Sequence, residues 1–320
     1  MSQFISEPSA DAIALAVQSL LAGHLVAFPT ETVYGLGADA CNAIGVARIY
    51  EVKGRPADHP LIVHMASMDG LGEWARDVPG YAISLARDFW PGPMTLVLKR
   101  SSLAEDFITG GQETVGIRVP DHVVALTLLE AFESIGGKGI AAPSANRFGH
   151  VSPTNATAVA EELGKFLDFS DQIIDGGACA VGVESTIIDC TGGAPRILRP
   201  GAITVAMIEE STGLEVLSAA GNAMRVSGSL ENHYAPVAKV ILDVAPIVGQ
   251  GFIARAEIET PAGAIRLTAP KSDGEFAQVL YAALRRADAA GLKEVIVHQP
   301  VGDGIGVAIR DRLARAANGR

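Results

Sequence analysis

The chain has 320 residues, 48% of them hydrophobic and 19% charged, which suits two domains with a well-filled core and excludes wholesale disorder. Its formal net charge of −11 is unevenly spread: residues 1–238 carry 14 Lys and Arg against 27 Asp and Glu, and residues 239–320 carry 11 against 9. That balance counts against strong general binding of nucleic acid, so an anion site here must be a local cluster of cations and backbone N–H groups.

Residues 12–30 contain no Asp, Glu, Lys or Arg, but Gln18, Ser19, Gly23 and His24 interrupt them and Pro29 closes them. With acidic residues before it, the stretch reads as neither a membrane span nor a signal peptide. Ile13, Val17, Leu20 and Leu21 recur at helical spacing, with Ser9 or Asp11 as cap and Gly23 as stop, and residues 25–28 follow as a buried strand. Further strands are predicted at 61–65, 95–99, 115–119, 140–142, 173–175, 186–189 and 196–198, with helices near 44–52, 81–89, 123–132, 155–163 and 204–211. This is a mixed α/β domain with a large sheet, its strand order left open. Residues 214–237 lose periodicity and read as a linker. Beyond them come strands at 239–244 and 264–267, a helical face of Phe276, Val279, Leu280, Ala283, Leu284 and Ala287, a strand at 294–298 and a helix at 307–317. That order predicts a smaller α/β domain of Rossmann-like type.

Cys41, Cys179 and Cys190 have neither metal-motif nor redox-motif spacing, and their odd number fits a reducing, cytoplasmic setting. Gly136-Gly137-Lys138-Gly139 lacks the flanking residues of a P-loop, and Gly302-Asp303-Gly304-Ile305-Gly306 is only a partial dinucleotide fingerprint, better read as a turn before the last helix. No histidine pair has zinc-ligand spacing. What remains is a series of polar clusters at strand ends. Residues 28–37, FPTETVYGLG, hold two threonines and close-set glycines that can ring a small ligand, or form an ordinary turn. In Lys53-Gly54-Arg55-Pro56, two cations one residue apart can face one polyphosphate, or end a helix in solvent. Ser144 and Asn146 follow a strand, and Ser152-Pro153-Thr154 precedes a helix, where hydroxyls serve an anion or a cap. Gly182-Val183-Glu184-Ser185-Thr186 and Leu198-Arg199-Pro200-Gly201 complete the set. Cations and short hydroxyls without a nucleophile–base pair point to binding and orienting a polyphosphate rather than to covalent catalysis.

The order PTETVYGLG, KGRP, HPLIVH, GIRVPDH, APSAN, SPT, VGVEST, LRPG and NHYAP is similar to that of the Sua5/YrdC family, in its long two-domain form. The resemblance implies a YrdC-like domain with a mixed twisted sheet over residues 10–205, a linker with the HYAP motif over 206–238, and a Sua5-type domain over 239–320. It implies a cytoplasmic nucleotidyltransferase that makes threonylcarbamoyl-AMP and pyrophosphate from L-threonine, bicarbonate or CO2, and ATP with Mg2+. The product would be handed to a tRNA threonylcarbamoyl transferase complex, with direct contact to tRNA left open and no membrane involved.

Residue by residue, the resemblance gives Lys53 and Arg55 the catalytic phosphate contacts. Ser144 and Asn146 join them at the nucleotide, with Thr114, Ser152, Arg199 and Tyr234 as further contacts. Thr32, His64, Arg118, Ala142 and Ser185 match the positions that hold threonine, Ala142 through its backbone. His59 stands where the family usually has Asn, so its nucleotide contact would vary with pH. No metal is expected on protein side chains alone. Tyr234 reads from the residues alone as part of a domain-boundary turn, whereas the resemblance makes it part of a lid, and the second domain is expected to act through that linker rather than by chemistry of its own. Two other readings stay open: an RNA-binding module without this activity, and a carbamoyl-adenylate former of the hydrogenase-maturation type, whose acylphosphatase-like and zinc-finger regions have no counterpart here.

Overall fold

The computed structural model describes residues 4–217, 224–226, 228 and 234–319. After β1 (Ile5–Ser6), Ser9 accepts a hydrogen bond from the Ala12 N–H and starts α1 (Ala10–Leu21). Then come β2 (Val26–Phe28), β3 (Gly35–Asp39), α2 (Ala43–Lys53), β4 (Ile62–His64), α3 (Leu71–Trp74), α4 (Gly80–Phe89), β5 (Met94–Lys99) and α5 (Asp106–Thr109). They are followed by β6 (Thr114–Arg118), α6 (Val123–Ser134), β7 (Ile140–Ala141), α7 (Ala156–Leu163), β8 (Gln172–Ile174), β9 (Thr186–Asp189), β10 (Arg196–Arg199) and α8 (Val205–Thr212). These strands form one mixed sheet of 10 in the order β1-β8-β2-β3-β7-β4-β6-β5-β9-β10. Alternation along β2 sends Val26 and Phe28 into a core with α1 and α6, while Ala27 joins the core on the opposite face.

The remainder is β11 (Lys239–Leu242), β12 (Gly251–Ile253), β13 (Ile265–Thr268), α9 (Asp273–Ala289), β14 (Glu294–Val297) and α10 (Ile305–Ala317). Its 4-stranded sheet, ordered β11-β14-β12-β13, is parallel throughout. The mixed α/β class and the Rossmann-like second sheet are as the periodicity predicts. Three strands are not: β1, β3 and β12. β3 is Gly-Leu-Gly-Ala-Asp, poor in strand-forming residues. It needs that poverty, because a Cβ on Gly37 would lie 2.6 Å from Ile140 Cγ2 and 2.8 Å from the Phe28 ring. The stretch expected to be a loop thus turns at residues 29–34 and returns antiparallel to β2, pairing Phe28 with Gly35.

The two domains share a core. Val33, Val151 and Val183 from the first cluster with Phe276, Ala277, Leu280 and Tyr281 on α9 and with Tyr234. The approach depends on Gly182, at φ +81°, where a Cβ would sit 2.3 Å from the Gln278 Cα. Beside it Glu184, fully enclosed, accepts from Ser152 Oγ at 2.6 Å, from Tyr281 OH at 2.9 Å and from Arg312 Nε at 2.8 Å. Arg312 also donates to the Pro200 carbonyl at 3.0 Å. The second domain thus touches the first directly as well as through the linker. Tyr281 on α9 and Arg312 on α10 reach directly into the first domain, because a buried carboxylate there needs donors that its own sheet does not supply. A chain cut near Val205 would bare Val33, Val151 and Val183 and strip Glu184 of two of its three side-chain donors.

Two outcomes are expected. Gly182→Ala strains the backbone by about 1–3 kcal/mol in addition to its clash with α9, and will lower the thermal unfolding midpoint measured by circular dichroism. Burial by itself would raise the Glu184 pKa, but the charges of Arg312 and Arg199 and the hydrogen bonds from Arg312 and Ser152 override it and hold it at about 2, below the ordinary 4.5. The carboxylate therefore contributes stability that is fully present above about pH 4.5 and is lost as pH falls towards 2. Glu184→Gln will remove that part of the acid-induced loss, and Arg312→Ala, which leaves the buried carboxylate without its cation, will cost about 3–5 kcal/mol in denaturant titration.

Candidate active site

A cavity of about 520 Å³, partly continuous with solvent, opens between the β2–β3 turn, the ends of β4 and β6, the loop after β7 and the loop before β9. Several backbone ties hold the walls. His64 and Arg118 are register partners on the parallel strands β4 and β6. The loop after β7 is zipped to the end of the β2–β3 turn: Leu36 N–H donates to the Pro143 carbonyl at 2.9 Å and Ala145 N–H to the Tyr34 carbonyl at 2.8 Å.

Nine of the residues singled out in the sequence line this cavity: Thr32, Arg55, His64, Arg118, Ala142, Ser144, Ser185, Arg199 and Tyr234. Thr30 Oγ1 donates its single hydrogen to the Val33 carbonyl at 2.6 Å, so in its 2.8 Å contact with Thr32 Oγ1 the Thr32 hydroxyl is the donor. Thr32 Oγ1 is thereby left to accept from a ligand. Burial, and then the nearby Arg118 charge, push the His64 pKa down to about 3. His64 is a neutral imidazole at physiological pH, tied at Nδ1 to the Ile62 carbonyl at 3.2 Å.

Arg55 donates to the Pro60 carbonyl at 3.0 Å, and burial lowers its pKa to about 10, so the cation persists at neutral pH. Arg199 clasps Ser185, reaching its carbonyl at 3.1 and 3.0 Å through Nε and Nη2 and its hydroxyl at 3.1 Å. Tyr234, at φ +63°, stacks on Tyr281 at 5.8 Å, and Arg312 lies 5.2 Å from its ring. Gly228 permits the approach of Tyr234, since a Cβ there would fall 2.1 Å from the Tyr234 hydroxyl. His233, beside it in the HYAP motif, lies outside the described residues.

Five expected site residues do not line the cavity, and the reason differs for each. Lys53 is fully buried beneath it, its Nζ donating to the Ser144 and Asn146 carbonyls at 2.5 Å each. Burial, then the neighbouring Arg55 charge, push its pKa far down. In this structure the amine fastens the loop after β7, and Lys53 does not join Arg55 in lining the cavity. Asn146 is turned inward and donates to the Arg147 and His150 carbonyls at 2.7 and 2.9 Å. Ser152 is one step removed, bonded to Glu184, which does line the cavity. His59 packs edge-on against Phe148 at 5.4 Å. Thr114 lines an adjoining hollow with Thr95, Val97, Gly116 and Ile187, sharing Ile62 with the main cavity. Over that hollow lie Arg225 and Val226, and Val226 packs with Ile62, Val97 and Ile187.

Glu184 is a charged lining residue to which the sequence reading gave no role. The GVEST motif was visible, but its acid has partners 97 and 128 residues away, which leave no local signal. Among the described residues no group of three His, Cys, Asp or Glu side chains could hold a metal ion, and no helix is long and apolar enough to cross a membrane.

Comparison with known proteins agrees with this architecture. The Sua5/YciO/YrdC profile, described as telomere recombination, matches residues 18–201, and the profile for the threonylcarbamoyl-AMP synthase C-terminal domain matches residues 203–318. A threonylcarbamoyl-AMP synthase of Pyrococcus abyssi is 38% identical, with 96% of this chain and 94% of that protein aligned. One of Bacillus subtilis is 40% identical, with 96% and 93% aligned. The crystal structure of P. abyssi Sua5 complexed with L-threonine superposes with a TM-score of 0.87 at 38% identity, covering 98% of this chain and 97% of that one. With two profiles in tandem and relatives matched over nearly their whole length, the chain belongs to the Sua5/YrdC family, in the two-domain form of the threonylcarbamoyl-AMP synthases.

Proposed function

We propose that this chain joins L-threonine, bicarbonate-derived CO2 and ATP into threonylcarbamoyl-AMP and pyrophosphate. The observation that carries the reading is the meeting of Thr32, His64, Arg118, Ala142 and Ser185 with Arg55, Ser144, Arg199 and Tyr234 in one cavity. Relatives bear the synthase name, and the P. abyssi structure is described as a complex with L-threonine. Three arginines suit a ligand set with one carboxylate and a triphosphate. The threonine carboxylate pairs with Arg118, and Thr32 Oγ1 accepts from the amine or hydroxyl. The adjoining hollow with Thr114 has apolar walls that suit the adenosine end.

The amine, once it has shed a proton to solvent, attacks the carbon of CO2; an N–C bond forms as one C–O π bond opens onto oxygen, and the nitrogen then loses a second proton to solvent to leave the carbamate. The carbamate oxygen then attacks the α-phosphorus, and the bond to the β-phosphate oxygen breaks to release pyrophosphate. No protein nucleophile is needed, only alignment and neutralisation of charge, which Arg55 and Arg199 supply. The donor set fits Mg2+ as a companion of ATP rather than as a resident ion, since the carboxylate lining the cavity, Glu184, is already engaged by three donors. Bound to the triphosphate, Mg2+ would neutralise charge on the leaving pyrophosphate. The acyl adenylate formed is hydrolysable, and Tyr234, 1% exposed and roofing the cavity, limits water. Such a product calls for prompt transfer to a tRNA-modifying acyltransferase.

Pyrophosphate release, followed by a coupled assay, will require threonine, bicarbonate, ATP and Mg2+ together; equal release without threonine refutes the assignment. Arg55→Ala will lose about 2–4 kcal/mol of transition-state stabilisation, read in kcat/KM, with threonine affinity in the absence of nucleotide little changed. Near-normal turnover of that variant would return Arg55 to a purely structural role.

A further inference from the structure

One buried ion pair at the cavity has no assigned role. Glu31 sits in the β2–β3 turn between Thr30 and Thr32, 5% exposed, and does not itself line the cavity. Its Oε1 lies 2.7 Å from Arg118 Nη2. Apart from this ion pair, neither carboxylate oxygen of Glu31 and neither Nε nor Nη2 of Arg118 has a hydrogen-bond partner among the described residues, and all four atoms are shut off from solvent. The pair is therefore the polar tie on the guanidinium among the described residues, and Arg118 lines the cavity while Nη1 is not among its buried, unpartnered atoms.

The carboxylate is itself presented rigidly. The Glu31 carbonyl accepts from Val181 N–H at 2.7 Å, and the Thr30 hydroxyl caps the turn on either side of it. We propose that Glu31 is a positioning residue for the amino-acid substrate: by anchoring Nη2 it aims Nη1 of Arg118 at the substrate carboxylate. The inference rests on the reading of threonine as substrate. It predicts an effect on threonine and none on ATP, because Arg55 and Arg199 are oriented by other groups, the carbonyls of Pro60 and Ser185.

Steady-state kinetics of the full chain test this with Glu31→Gln, which keeps shape and removes charge. The threonine KM will rise about tenfold or more, as befits a loosened charge-assisted contact, while kcat and the ATP KM stay within about twofold. In an Arg118→Lys background the same substitution will add little, since Glu31 acts through Arg118. A lower thermal midpoint with unchanged threonine KM, or an equal rise in both KM values, overturns the proposal. If Glu31→Gln does not fold, Glu31→Asp will give the same split at smaller amplitude, and an unchanged threonine KM in that variant also overturns it. The wild-type control separates the two levels. Without threonine-dependent pyrophosphate release the substrate reading falls and the inference with it; with such release, failure of the split sinks the inference alone.

Discussion

Glu184 is the point on which the structure turns. A carboxylate enclosed in protein is tolerable only when donors replace its lost water, and here three do: Ser152 from the loop before α7, Tyr281 from α9 and Arg312 from α10. The same residue is a wall of the cavity, so the contact that joins the two domains is also part of the site. Tyr234 is caught in this joint, stacked on Tyr281 and facing the Arg312 cation, which holds its ring at the cavity. Domain docking and site assembly are therefore one event rather than two.

Charge inside the cavity follows from the same logic of satisfied groups. Arg55, Arg118 and Arg199 converge there although the chain as a whole is acidic, and each has a polar neighbour in the protein. For Arg55 and Arg199 the neighbours include backbone carbonyls, and for Arg118 it is Glu31. A carbonyl partner leaves the net charge of a cation in place, whereas a carboxylate partner offsets it, so the Arg118 end of the cavity is less cationic than the Arg55 end. Lys53 extends the pattern below the cavity, spending its donors on the Ser144 and Asn146 carbonyls so that this loop keeps its shape.

Periodicity placed the longer helices and most strands to within a few residues, because α1, α9 and the apolar strands carry their burial pattern locally. It missed the four-residue helices α3 and α5 and the strands β1, β3 and β12, whose Gly-rich or very short sequences are strands only because neighbours pair with them. The motifs likewise found nine lining residues, and they were legible because each cluster lies within a few positions of a strand end.

The sequence by itself determined the residue types at the site and the order of the two α/β units, since hydroxyls, cations and glycines at strand ends are local features. Only the tertiary structure decided which of those side chains face the cavity. Lys53 and Arg55 are two residues apart, yet one points into the protein and the other into the site, a choice made by which carbonyls the folded loops bring within reach. It alone supplied Tyr281 and Arg312 as partners of Glu184. Contacts spanning 97 and 128 residues arise from packing two sheets together, and no short stretch of chain encodes them.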